Sequence, residues 1–287
     1  MSFVVVRAGA LATVQDRGRP GYAHLGIARS GALDLDALTL ANRAVGNDDG
    51  AAVLETTLSG VGLRAVEPMV VAVAGAHCAV RVDGRPVAWG APVLVRAGQV
   101  LDVGPAARGV RSYVAVRGGV DAAPVLGSRS RDVLGSVGPE PLRDGERYDV
   151  GAEPATDGGW PGPLAARDVP DEITLPLVLG PRADWFTAGA RRALWAATYV
   201  VGSASNRVGL RLQGAPLERR GGAELPSEGM VLGAVQVPPD GQPVVFLADH
   251  PVTGGYPVIG VVTAEGVGAA AQAVPGSTAR FVRAVGP

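Results

Sequence analysis

Lysine is absent from this chain of 287 residues; all 26 basic residues are arginine. That excludes a Walker A lysine, a Schiff-base lysine and a lysine general base. Any anion must be held by guanidinium forks or backbone amides. Cysteine is almost as scarce. The single Cys78 has no internal disulfide partner, which fits a cytoplasmic protein. With three histidines and one cysteine, the inventory also argues against a zinc site. No basic block is present and the net charge is −1, so nucleic acid is not an expected partner. The apolar runs are strand-sized and broken by Gly or charge, so no membrane span is expected. The opening residues lack the charged and apolar regions of a signal peptide.

What the chain has is glycine (42) and proline (23), spread along its length. Tight turns between many short strands distribute them in this way. The expected fold class is all-β, β-rich with a few short helices. The densest polar stretch is Ser227–Tyr256. Met230–Val237 and Val244–Ala248 read as two strands joined by Pro-Pro-Asp-Gly-Gln-Pro, in which Asp bonds its own backbone and Gly takes positive φ. Asp249 and His250 end the second strand. Thr253-Gly254-Gly255-Tyr256 form a tight loop before a third strand, Val258–Thr263. Paired glycines admit a close backbone approach, and successive amides can cradle an anion. A turn capped by Asp249 and a binding loop are both open readings here.

Near the start, Gln15-Asp16-Arg17-Gly18-Arg19-Pro20-Gly21 is a polar, Gly-rich loop after an apolar strand, with Arg17 or Arg19 as possible anion donors. Ser30-Gly31-Ala32-Leu33-Asp34 opens a helix, capped by Ser30 or Asp34. Leu38, Ala41, Asn42 and Val45 line one of its faces. Asn42 on that face requires a partner, as does Glu55 at the end of an apolar run. His77 and Cys78 are adjacent on a strand, so they face opposite ways and do not make a nucleophile pair. Arg117-Gly118-Gly119 follows a strand. A stretch without periodicity, rich in Pro, Gly and Ala, reads as a linker over 152–172. It divides a domain over 1–151 from one over 173–287. Ala183–Leu194 is expected to be helical, with Trp185, Phe186 and Leu194 buried. Tyr199–Gly214 carries Asn206, Arg207 and Arg211 as amide and guanidinium donors. Val61-Gly62-Leu63-Arg64 recurs as Val208-Gly209-Leu210-Arg211, each followed by a similar hairpin, which suggests two β domains of related design.

Taken together, QDRGRPG, SGALD, the Leu40-Ala41-Asn42 and Val45-Gly46-Asn47 pieces, Ser205-Asn206-Arg207-Val208-Gly209-Leu210-Arg211-Leu212 and the 227–256 stretch resemble one family. It is the family of biotin-dependent carboxyltransferases and the 5-oxoprolinase C subunit. KipA and the allophanate hydrolase subunit 2-type domain of urea amidolyase are also among its members. The resemblance implies tandem cyclophilin-like β-barrel domains. It implies the C subunit of a multisubunit, ATP-dependent 5-oxoprolinase, with ATP a co-substrate of the complex. The implied partners are homologues of that enzyme's A subunit and its KipI-like B subunit. Two alternatives stay open. One is carboxyl transfer to a urea-like acceptor, with biotin carried by another protein because this chain has no lysine to bear it. Such enzymes are usually long fusions, an extension this sequence does not show. The other is a KipA-like regulatory partner of a kinase inhibitor. The implied catalytic residues are Asp249, Arg207 and Tyr256. Substrate contacts are expected from Asn206, Arg211, Glu228, Gln236, Thr253, Gly254 and Gly255, with Asp16, Arg19 and Arg117 added from the N-terminal half. The 206–211 and 249–256 clusters are expected to converge on one pocket.

Overall fold

The computed structural model describes residues 1–152, 169–221 and 225–284. Most of the expected linker, 153–168, lies outside the described residues. The rest divides into two compact units. The first holds Met1–Arg19, Ser30–Asp132 and the described part of Ser136–Asp168. The second holds Pro20–Arg29, Val133–Gly135 and the chain from Val169 onward. Both are built on β-sheet. Three α-helices accompany them among the described residues: α1 (Leu35–Ala44), α2 (Ala188–Ala196) and α3 (Ala264–Ala271). This is the all-β, tandem-barrel architecture that the sequence implied.

The first unit is a ten-stranded antiparallel sheet. Its two long strands, Met69–Val82 and Val100–Val116, pair along most of their length, with register shifts between Gly75 and Val80. Valine and leucine fill the interior, with Phe3, Val14, Leu54, Leu63, Leu101 and Val114 fully buried. Helix α1 packs its Leu38, Ala41 and Val45 against Tyr113, Ala72 and Ala115 of the sheet. Asp34 caps it by accepting from Ala37 N–H at 3.1 Å. Ser30, the other capping candidate, takes a left-handed φ of 52° instead. Asn42 finds its partners in the next loop, donating to Ala51 O and accepting from Asn47 Nδ2. Glu55 accepts from Leu33 N–H and from Tyr113 O–H. His77 is exposed and stacks on Trp89, whereas Cys78 is buried, so the two do face opposite ways. Burial pushes the Cys78 thiol pKa up, the opposite of what a nucleophile needs.

In the second unit, strands Glu172–Leu179, Val258–Val262, Ala234–Gln236, Val244–Phe246, Gly209–Gln213, Tyr199–Val201 and Thr278–Arg283 close in that order into a barrel. The hairpin read from sequence is present, with Val235 opposite Val245 and Gln236 opposite Val244. Its turn behaves as composed: Gly241 has φ 75°, and Asp240 accepts from Gln242 N–H. The first strand is shorter than expected. Met230 leaves the barrel, and Glu228–Gly229 pairs with Thr253–Gly254 as a separate two-stranded strap. Ala183–Leu194 is also not one helix. A 3-10 turn over Pro181–Trp185 precedes α2, which starts afresh where Thr187 caps Ala190 N–H. Phe186 and Leu194 are buried, and Trp185 is half-buried. The repeated Val-Gly-Leu-Arg segments differ in pairing. The first lies between Ser2–Arg7 and Val100–Val116, the second beside its own hairpin.

Candidate functional site

Alternation along the barrel strands decides what each side chain can reach. In Gly209–Gln213, Leu210 and Leu212 are buried while Arg211 and Gln213 are exposed. Leu210, Val245 and Val235 stand opposite one another and turn inward. Arg211, Val244, Gln236 and Phe246 therefore belong to the outer face. That face is apolar: Met230, Ala234 and Phe246 form a cluster, with Val244 and Val258 packed on it. The strap lies over it through Met230. The Cβ that any other residue would add at 254 would stand 2.5 Å from Gln236 Nε2, so Gly254 permits the close approach. Gln236 donates from Nε2 to Tyr256 O at 3.2 Å and lies 4.0 Å from Met230 Sδ. Glu228 anchors the strap through a two-pronged ion pair with Arg182. That guanidinium holds the Glu228 carboxyl below the usual carboxylate range. Tyr256 is 43% exposed, and Thr253 and Gly255 are also at the surface.

Arg207 and Asp249 meet, but inside the protein. Arg207 is 2% exposed and Asp249 0%. The guanidinium donates from Nε to Oδ2 at 2.8 Å and from Nη2 to Oδ1 at 3.1 Å. Oδ2 also accepts from Val133 N–H at 3.0 Å. Both carboxylate oxygens are thus occupied by protein donors. The strand ends are tied as well, with Asp249 N–H donating to Arg207 O. A ring N–H or a water reaching Asp249 would have to displace one of these contacts. The neighbouring Asn206 is exposed, and its Oδ1 accepts from Val208 and Gly209 N–H, an Asx turn that starts the strand.

Three expected contacts belong to the first unit. Asp16 accepts from Gly18 and Arg129 N–H and from the Ser128 and Ser130 hydroxyls. Arg19 is 1% exposed and donates to Val125 O and Ser130 O. These residues order the 125–131 loop. Arg117 is half-buried, and its N–H donates to Val70 O. The glycine after it is required: at φ 97° a Cβ on Gly118 would stand 2.4 Å from Gly151 O.

Three residues at the strap and the outer face were not site candidates in the sequence: Arg182, Met230 and Phe246. His250 stacks on Phe246 with centroids 5.8 Å apart, and its Nδ1 lies 2.8 Å from Pro251 O. Phe246 could have been found from the hairpin register, because it shares the outward parity of Val244. Arg182 could not, since nothing in its own segment points to Glu228.

Residues 25–283 match the family described as carboxyltransferase domain, subdomain A and B. The chain belongs to that family. The C subunit of 5-oxoprolinase from Escherichia coli K12 is 37% identical over 97% of this chain and 90% of its own length. Among solved structures, TTHA0988 superposes with a TM-score of 0.88 at 37% identity, covering 98% of this chain and 56% of that one. The urea amidolyase of K. lactis gives 0.91 at 30% identity over 98% of this chain. This chain spans only 18% of that enzyme, and about half of TTHA0988. In this carboxyltransferase-domain chain, the stretches that carried the resemblance sit in the Asp16 loop, α1, the Asx turn and the strap.

Proposed function

We propose that this chain is the C subunit of a multisubunit, ATP-dependent 5-oxoprolinase that opens 5-oxo-L-proline to L-glutamate. The carrying observation is the 37% identity to the Escherichia coli C subunit, over 97% of this chain and 90% of that one. A lactam is a poor electrophile, and phosphorylating its oxygen makes a group that water can displace. ATP supplies that activation as a co-substrate of the assembly. This chain has no lysine to meet phosphates, and its buried Arg19 and Arg207 are already engaged by protein oxygens. No step through ATP is therefore assigned to these residues. The work of this chain in this reading is to bind and orient the amide. Arg211, Gln236, Thr253, Gly254, Gly255 and Tyr256 present the outer-face surface, Glu228 fastens the strap, and the Arg207–Asp249 pair holds the strand ends in place.

The partners in this reading are homologues of the A subunit and of the KipI-like B subunit, and the compartment is the cytoplasm. No helix among the described residues is long and apolar enough to cross a membrane. The division into domains at 152–172 belongs to the same proposal. Purified alone, the chain is expected to leave 5-oxoproline unchanged. Co-assembled with both partners, it should support turnover only when ATP is present. Turnover by the single chain would refute this.

A second reading is favoured by the TM-score of 0.91 to the K. lactis urea amidolyase. In it the chain transfers a carboxyl group to a urea-like acceptor from biotin borne on another protein. A biotin carboxylase gene beside this one, in place of genes for the A and B subunits, would favour it.

A further inference from the structure

Of the three histidines, His24 and His77 are exposed, whereas His250 is 5% exposed and held on two sides. Its ring lies flat on Phe246, with centroids 5.8 Å apart and planes 5° from parallel. Phe246 in turn packs in the outer-face cluster with Met230 and Ala234. One edge of the imidazole is also fixed, since Nδ1 lies 2.8 Å from Pro251 O. A carbonyl oxygen has no proton to give, so Nδ1 carries the hydrogen and donates it. That assigns the lone pair of the neutral ring to Nε2. Nε2 makes no hydrogen bond among the described residues and still reaches solvent.

The backbone sets this ring at a corner. His250 N–H donates to Leu247 O, closing the turn that ends the strand. Two residues on, Val252 O accepts from Met230 N–H, where the chain enters the strap. The carboxylates of the adjoining segments are engaged, Asp249 by Arg207 and Glu228 by Arg182. Neither is left to hold an imidazolium. The other titratable group of the loop is Tyr256, 43% exposed. An aliphatic side chain would fill this corner without burying a nitrogen. A carbonyl that fixes one ring nitrogen and leaves the other to act is the arrangement that aims a histidine at a proton.

We propose that His250 is the proton-transfer group of the outer face, acting through Nε2. Water's oxygen bonds the activated amide carbon while one water proton passes to Nε2. The same proton then goes to the ring nitrogen, which keeps the electron pair of the breaking C–N bond. The imidazole ends as it began. This inference rests on the 5-oxoprolinase reading for its substrate, and it assigns the proton to a residue outside the buried Arg207–Asp249 pair.

The test uses the full chain assembled with its A and B partners. His250→Asn keeps an N–H for Pro251 O and removes Nε2, so Tm should hold. It should lower kcat about a hundredfold with KM close to the wild type. The acid limb of the wild-type pH profile should vanish, and added imidazole should restore part of the rate. His77→Asn is the control and should change none of these. An Asn variant at the wild-type rate overturns the proposal. So does one whose activity falls only with its Tm and that imidazole does not rescue. In either case glutamate release by the wild type leaves the wider reading standing. A second measurement does not need turnover. Diethyl pyrocarbonate, which acylates neutral imidazole nitrogens, should modify His250, and 5-oxo-L-proline should slow that reaction while His77 is modified as before. An unreactive His250, or one that 5-oxo-L-proline does not protect, overturns the proposal. If the wild-type assembly is inert, the reading falls, and this protection still decides the role of His250.

Discussion

Asp249 shows how much the value of a side chain depends on where its oxygens point. From sequence it was a carboxylate at a strand end beside a glycine loop. In the fold it is a fully buried acceptor for Arg207 and for Val133 N–H. Asp249→Asn is nearly isosteric, but it would remove the buried carboxylate charge that the Arg207 guanidinium grips with two N–H groups. Removing one partner of such a pair typically costs about 3–5 kcal/mol. The variant should therefore lower Tm markedly, and any loss of activity should follow the loss of folded protein. An Asn variant that melts like the wild type and has lost activity would return Asp249 to a direct role. Tyr199 makes the opposite prediction. Its side chain lies in the barrel interior against Phe281, and its hydroxyl has no partner among the described residues. Burial pushes its pKa up to about 12. Tyr199→Phe removes a hydroxyl that gains nothing from being buried, so stability should hold or rise. A clear fall in Tm would mean that the hydroxyl has a partner. The sequence could not separate these cases. It shows which residues carry charge or hydroxyl, and only the packing shows whether the donors facing them are protein or solvent.

At the scale of elements, the hairpin and α1 were legible because turn chemistry, capping and periodicity agreed. Pro238–Pro243 has one sensible conformation, and Leu38, Ala41 and Val45 repeat at helical spacing. The strap was not legible. Met230–Val237 reads as a single apolar run, and only the folded chain shows Met230 leaving the barrel to cover Gln236. Helix α2 was misplaced for a similar reason. Extended backbone at Phe186 and Thr187, where Thr187 caps α2, divides the segment expected to be one helix. The strap also carries a pH dependence. Glu228 titrates below its usual range because Arg182 pairs with it. Its contribution to stability is therefore present above the unfolded carboxylate pKa and is lost as pH falls through the folded one. The Tm difference between wild type and Glu228→Gln should be visible at neutral pH and vanish under acid conditions below the carboxylate range. A difference that stays constant across that range would mean that the ion pair does not hold the strap.

For the whole molecule, the all-β class was readable from dispersed glycine and proline, and the family from stretches in a fixed order. The pairing of the repeats was not, because register depends on which strands become neighbours. The central claim is that the chain belongs to a lactam-opening assembly, and it is tested most directly by co-expression with the genes of its neighbouring partners. The purified assembly would be given ATP with 5-oxo-L-proline, and in parallel ATP, bicarbonate and urea with a biotin carboxylase and biotinylated carrier. Glutamate release that requires ATP and this chain, with no urea carboxylation, is the predicted result. Urea carboxylation without glutamate release would contradict the account.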